Sequence, residues 1–171
     1  MKEKELNKEK KSFEIHYRGE IYDSEWNDND NFEEVKVHSV AGFLFDEKGR
    51  ICLVRVNKSR GWTLVGGRIE EYDKTPEDAL KREAEEEADI ELKNIKRLGY
   101  WKTSPRKNPK EINYTGRFVA EIKKIKPQTI DPAENIICER IFISPKDFDK
   151  YTRWGDNGIF QIKKALKMMG R

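Results

Sequence analysis

One stretch constrains this chain more than any other: residues 66–90, GGRIEEYDKTPEDALKREAEEEADI. Two glycines lead into a polar turn, and the turn leads into a helix dense in glutamate. Thr75 is a natural N-cap, and Pro76 then falls at the first helical position, where its missing N–H costs nothing. Glu77 and Asp78 stand in the first turn, at the positive end of the helix dipole. Leu80, Ala84 and Ala88 recur every four residues and form a narrow apolar stripe. Glu83, Glu86 and Glu87 follow the spacing i, i+3, i+4, which puts them within an arc of roughly 100° beside that stripe. Three carboxylates on one helix face repel one another. A cation offsets the repulsion, and hard divalent ions such as Mg²⁺ prefer carboxylate oxygens while keeping waters for substrate phosphates. A merely solvated acidic helix would explain the glutamates, but not Gly66-Gly67 before them or Arg82 beside Glu83.

The stretch resembles the Nudix hydrolase box, G-x5-E-x7-R-E-U-x-E-E-x-G-U with U aliphatic. Arg82-Glu83-Ala84-Glu85-Glu86-Glu87-Ala88-Asp89-Ile90 matches its second half, and Gly67, five residues and Asp73 match its first. Trp62-Thr63-Leu64-Val65-Gly66-Gly67 is similar to the strand that leads into the box. Four departures stand out. Asp73 replaces Glu, and eight residues rather than seven separate it from Arg82. Asp89 stands where Gly is usual, and Val65 where Pro is common.

The resemblance implies an α/β fold, a Nudix-like α/β/α sandwich with a mixed sheet. It also implies hydrolysis of a diphosphate bond in a nucleoside diphosphate linked to another group, with Mg²⁺ or Mn²⁺ as cofactor. Glu83, Glu86 and Glu87 match the three box glutamates. Glu86 and Glu87 are expected as metal ligands and Glu83 as ligand or base. The backbone carbonyl of Gly66 is a family-type ligand, and Gly at 66 and 67 lets backbone approach the ion. Arg82 is expected to orient a glutamate, and Asp73 to be a supporting carboxylate. The inserted residue is expected in the turn Glu71–Thr75, because turns absorb added residues and helices do not. A carboxylate from outside the box is common in the family. Glu134 and Glu139 are the candidates, with Glu134 favoured because it lies in a loop.

The 171 residues suit one domain with a sizeable core. Basic and acidic residues number 35 and 32, a net +3, so bulk charge does not argue for a nucleic-acid binder. Cys52 and Cys138 sit in apolar runs and read as small buried hydrophobes of a reducing compartment, not as a disulfide. No run is long and apolar enough for a membrane helix, and no apolar signal region opens the chain. The expected location is cytoplasmic.

Residues 1–11 are almost wholly charged and read as a disordered tail. Residues 12–36 form an N-terminal extension. A hairpin around Gly19 is expected there, then a polar loop over 27–34, with His16 as a surface residue. In relatives such an extension often serves a dimer contact, which makes a homodimer an expectation by analogy. Residues 37–171 form the hydrolase-like domain. Strands are expected over Val37–Phe45 and Arg50–Val56, paired as a hairpin, and over Trp62–Val65. After the helix come Ile90–Thr103 with a break near Asn94, Ile112–Ile125 and Ile136–Ile143. Ser144-Pro145 opens a short helix, and a final helix from Asp156 or Asn157 buries Ile159, Ile162, Leu166 and Met169.

Trp101, Tyr100 and Trp154 could stack a base, but core packing is the expected role for each. Lys102, Arg106, Lys107 and Lys110 read as a solvated basic loop rather than a phosphate clamp. Two other functions compete with hydrolysis. One is a nucleotide-binding or sensor module whose catalytic box has decayed, a reading fed by Asp73, the inserted residue and Asp89 and opposed by the intact Glu83, Glu86 and Glu87. The other is an RNA-binding protein, the weakest, since no RNA-binding motif is present.

Overall fold

The computed structural model describes residues 11–132 and 135–171. In chain order these form β1 (Ser12–Tyr17), β2 (Glu20–Asn27), α1 (Phe32–Val35), β3 (Ser39–Phe45), β4 (Ile51–Arg55) and β5 (Thr63–Arg68). Then follow α2 (Pro76–Ala88), β6 (Ile90–Pro105), β7 (Asn113–Ile125), β8 (Glu139–Ile143), α3 (Phe148–Thr152) and α4 (Asp156–Met168). The strands build one mixed sheet in the order β1-β2-β6-β7-β3-β5-β4-β8. β3 and β7 run parallel, and the other pairs are antiparallel.

After Ser39, β3 is apolar from Val40 to Phe45 because the sheet is covered on both faces. Val40 and Leu44 pack with Leu80 and Ala84 of α2, while Phe43 and Phe45 pack with Phe148 and Phe160 of α3 and α4. The result is the expected α/β/α sandwich. Among the described residues no helix is long and apolar enough to cross a membrane.

The hairpin around Gly19 forms as expected and is built into the sheet. β2 pairs with β6, Trp26 facing Trp101, and Phe13 and Trp26 enter the core. Lys11, placed in the tail from sequence, is held there: its carbonyl accepts Trp26 N–H at 2.7 Å and its ammonium meets Asp28. The rest of the tail, residues 1–10, lies outside the described residues.

Three other expectations are corrected. The polar loop over 27–34 contains the start of α1, whose Phe32 is buried between Tyr100 and Phe118. A single apolar residue among Asn, Asp and Glu was too weak a periodic signal to show this. β3 and β4 share only the pair Phe45–Ile51, because β5 lies between them for the rest of their length. In α4, Ile159 is exposed, and Phe160, Ile162 and Ala165 carry the buried face. Ile162 is buried and Leu166 and Met169 pack against the same cluster, as expected, while Phe160 in place of Ile159 reaches the rings of Phe13, Trp26 and Trp101.

The Asn94 break is present as a left-handed residue inside a bulged stretch of β6. Cys52 and Cys138 are buried free thiols, and burial pushes Cys52 up to about 12. Arg97 on β6 fixes the start of α2. It donates to Glu77 (Nε–Oε1 2.6 Å), to Glu33 of α1 (Nη1–Oε2 2.8 Å) and to the Asp30 carbonyl at 2.9 Å.

Candidate active site

α2 delivers the glutamates. Thr75 is its N-cap, the hydroxyl accepting Asp78 N–H at 3.1 Å, and Pro76 follows at the first position. The helix then runs unbroken to Ala88, so the extra residue is absorbed in the turn before it. Asp89 ends the helix in the left-handed conformation (φ 50°), the conformation that the usual Gly would supply. Its carboxylate accepts Thr129 N–H at 2.8 Å and the Thr129 hydroxyl at 2.6 Å. That departure from the box therefore ties the loop after β7 to the helix end.

β5 delivers the glycines. A Cβ on Gly66 would stand 2.1 Å from the Val40 carbonyl oxygen, and one on Gly67 would stand 2.3 Å from Glu83 Oε1. At 66 a side chain would meet backbone that cannot move, and at 67 it would meet only the movable Glu83 carboxylate.

A cavity of about 520 Å³ lies between these elements, lined among others by Gly66, Gly67, Arg82, Glu83, Glu86, Glu87 and Asp131. All three box glutamates face it. Glu87 accepts Gly66 N–H at 3.0 Å. Arg82 Nη1 donates to Glu83 (2.8 Å) and Glu86 (3.1 Å), and Nη2 donates to the Arg68 carbonyl at 2.8 Å. The rest of that guanidinium grips Asp73, and Asp73 also accepts Glu70 N–H at 2.8 Å. Arg82 thus pairs with two glutamates at once, and Asp73 pairs with Arg82.

The electrostatics are those of crowded like charge. Burial, then the charges of Glu83, Asp131 and Glu86, push the Glu87 carboxyl up to about 8, against the opposing pull of Gly66 N–H. Burial also raises Glu83, with Arg82 opposing and Glu86 and Asp131 adding to the rise. The Arg82 hydrogen bonds hold Asp73 below the usual carboxylate range.

Among the described residues no three acidic, His or Cys side chains are arranged as a finished metal cluster. The reason is local: Glu83 and Glu86 lean on Arg82, and Glu87 leans on the strand. The donor set nevertheless fits a hard divalent cation, being all oxygen, mutually repelling and half-desolvated, beside a glycine backbone open to close approach.

Glu134 lies outside the described residues. Glu139, the other candidate, is turned away and pairs with Arg55, Nε to Oε2 at 2.7 Å. Sequence reasoning missed Asp131. This aspartate is 3% exposed, lines the cavity and accepts the Cys138 thiol at 3.7 Å. The signal available was Asp-Pro in the same loop as Glu134, a turn start that can bury a carboxylate. Tyr100 and Trp101 are core residues, as expected.

The family model described as NUDIX domain matches residues 35–161. The chain belongs to the Nudix family. The chemistry that goes with this Nudix box is hydrolysis of a diphosphate linkage. Solved structures agree on the fold. The Bacillus subtilis pyrophosphohydrolase BsRppH, in a single-residue variant, aligns with a TM-score of 0.71 at 19% identity over 93% of this chain and 97% of its own. A MutT of Aliivibrio salmonicida or Vibrio cholerae aligns at 0.53 and 17% identity, over 77% of this chain and 98% of its own. The NUDIX domain of Shewanella oneidensis NrtR, complexed with ADP ribose, aligns at 0.56 and 17%, over 78% and 88%. No curated protein sequence matches the Nudix chain.

Proposed function

We propose that this Nudix protein is a Mg²⁺- or Mn²⁺-dependent hydrolase of a nucleoside diphosphate linked to another group. One observation carries the reading: Glu83, Glu86 and Glu87 face a single cavity with Asp131, against the glycine end of β5. Bound metal would neutralise phosphate oxygens and lower the pKa of the attacking water. Glu86, Glu87 and the Gly66 carbonyl would hold it, with Glu83 as a further ligand or as the base. Water adds to one phosphorus, the bridging P–O bond breaks, and the water's proton passes to a carboxylate. Arg82 keeps Glu83 and Glu86 aimed into the cavity until substrate arrives, and Asp73 keeps Arg82 in place. Gly67 leaves the space in which Glu83 stands.

Two features of the altered box support this reading. Asp73 still reaches Arg82 across the longer turn, and Asp89 still ends the helix. Both observations favour a working site over a decayed one. The test is a panel of nucleoside triphosphates, sugar nucleotides, dinucleotides and non-nucleotide diphosphates with Mg²⁺ or Mn²⁺, every product being identified. Cleavage at a diphosphate of at least one nucleotide compound is the expected result. No turnover anywhere in the panel would favour the binding module.

A further inference from the structure

One carboxylate of the glutamate cavity comes from outside the box, and its position hangs on a residue that stands where the box usually has glycine. Asp131 is 3% exposed, lines the cavity and lies two residues beyond Thr129. Two residues of extended chain reach at most roughly 7 Å. The point at which Thr129 is pinned therefore decides whether Asp131 reaches the cavity.

Asp89 pins it. Asp89 is 7% exposed, and its carboxylate takes both donors of Thr129, Oδ2 from the N–H at 2.8 Å and Oδ1 from the hydroxyl at 2.6 Å. Bonds to a carboxylate are roughly twice as strong as those between neutral groups. The start of the same loop is tied down beside them. Lys126 N–H donates to the Asp89 carbonyl at 2.9 Å, and Arg140 Nη1 donates to the Lys126 carbonyl at 3.1 Å. Further along, bonds run within the loop: Asp131 N–H to the Ile136 carbonyl and Asn135 N–H to the Asp131 carbonyl, both at 2.7 Å. Packing adds little between Thr129 and Asp131, because Ile130 is 58% exposed.

Like charge works against this placement. Burial leads the rise of Glu83 and Glu87, and the Asp131 charge adds to both. Asp131 is thus pushed away from the glutamates, and the Asp89–Thr129 pair opposes the push. Glycine at 89 would end the helix equally well but would supply neither bond.

We propose that Asp89 is a positioning residue for the active site: through Thr129 it fixes residues 129–131, so that the Asp131 carboxylate stands among the glutamates and helps them hold a divalent cation. This role presupposes the metal-dependent reading of the cavity.

The test is calorimetry with Mn²⁺ on the parent, Asp89→Gly, Asp131→Asn and the double variant. Asp89→Gly keeps the left-handed helix end and loses both bonds to Thr129. Each single variant should bind Mn²⁺ at least about tenfold more weakly than the parent, the scale for lost support around metal ligands. The double variant should bind no more weakly than Asp131→Asn alone, because the group that Asp89 positions is already disabled. Asp89→Asn tolerates the same backbone and runs the same cycle if the glycine variant does not fold. A second readout needs no metal. The Cys138 thiol is 1% exposed and lies 3.7 Å from Asp131 Oδ2. In EDTA it should react with an aromatic disulfide reagent several-fold faster in Asp89→Gly than in the parent, the labelled cysteine being identified by mass spectrometry. Losses that add in the double variant would make Asp89 a helix end and nothing more, and would overturn the proposal. So would unchanged Mn²⁺ affinity in either single variant, or a Cys138 as protected in Asp89→Gly as in the parent. A parent that binds no Mn²⁺ would bring down the metal-dependent reading itself, and this role with it.

Discussion

Arg82 grips Asp73 with two parallel hydrogen bonds, Nε to Oδ1 at 3.1 Å and Nη2 to Oδ2 at 2.9 Å. The same guanidinium reaches Glu83 and Glu86 with its remaining N–H groups. The altered first half of the box is thereby coupled to the metal-binding half. Asp73→Asn keeps the shape and removes the charge. Turnover should fall about 10- to 100-fold, the scale for losing a group that orients metal ligands. Thermal melts should show a loss of about 2 kcal/mol, between the surface and buried limits, since the Asp73 side chain is only 4% exposed. Wild-type turnover in this variant would remove Asp73 from the site's support.

The two glycines should separate structure from function. Gly66→Ala drives a methyl group onto the Val40 carbonyl, a backbone atom that cannot step aside. A loss of at least about 2 kcal/mol is expected in denaturant unfolding, from overpacking. Gly67→Ala meets only the Glu83 carboxylate, the far end of a flexible side chain. Its melting temperature should stay within a few degrees of the parent, while Mn²⁺ affinity measured by calorimetry falls at least about tenfold. Equal destabilisation by both would contradict the assigned geometry.

At the helix end, Asp89→Gly should cost less than Asp89→Ala. Both lose the two bonds to Thr129, but alanine is also forced into a left-handed backbone. The difference should be about 1 kcal/mol in chemical unfolding. Equal losses would show that Asp89 acts through Thr129 alone.

The crowded carboxylates predict an unusual pH profile. The folded-state pKa of Glu87, about 8, lies above its ordinary value of 4.5. Folded protein therefore holds the proton more tightly than unfolded protein. Its contribution is fully present below about 4.5 and is lost as pH rises through about 8. Without metal, the melting temperature should fall by several degrees from pH 5 to pH 8.5, and Glu87→Gln should flatten that slope. Mn²⁺ should restore stability most at the alkaline end, because it binds the ionised, folded site. A metal-free profile that rises with pH in the parent and the variant alike would contradict the raised Glu87.

The helix was the most legible part of the chain because every signal in it is local. Thr75, Pro76, the apolar stripe and the glutamate spacing all lie within one periodic segment, and each does what its position implies. The Gly19 hairpin and the Asn94 break were equally local. Asp131 was not legible, because its burial depends on a loop folding back under α2 from more than forty residues away in sequence. The pairing of β2 with β6 and the insertion of β5 between β3 and β4 are likewise long-range choices. The α4 stripe failed by one residue, because Phe160 gains more from the aromatic cluster than Ile159 would.

The most direct test of the central claim is turnover of Glu86→Gln with the best diphosphate substrate and saturating Mg²⁺ or Mn²⁺. Glutamine keeps the size and polarity of Glu86 and removes one of three repelling charges. The account predicts a fall of at least about 10²-fold, with a metal-free melting temperature equal to or above the parent's. A variant that retains most of the parent rate would contradict it and move the chemistry to Glu83 and Glu87.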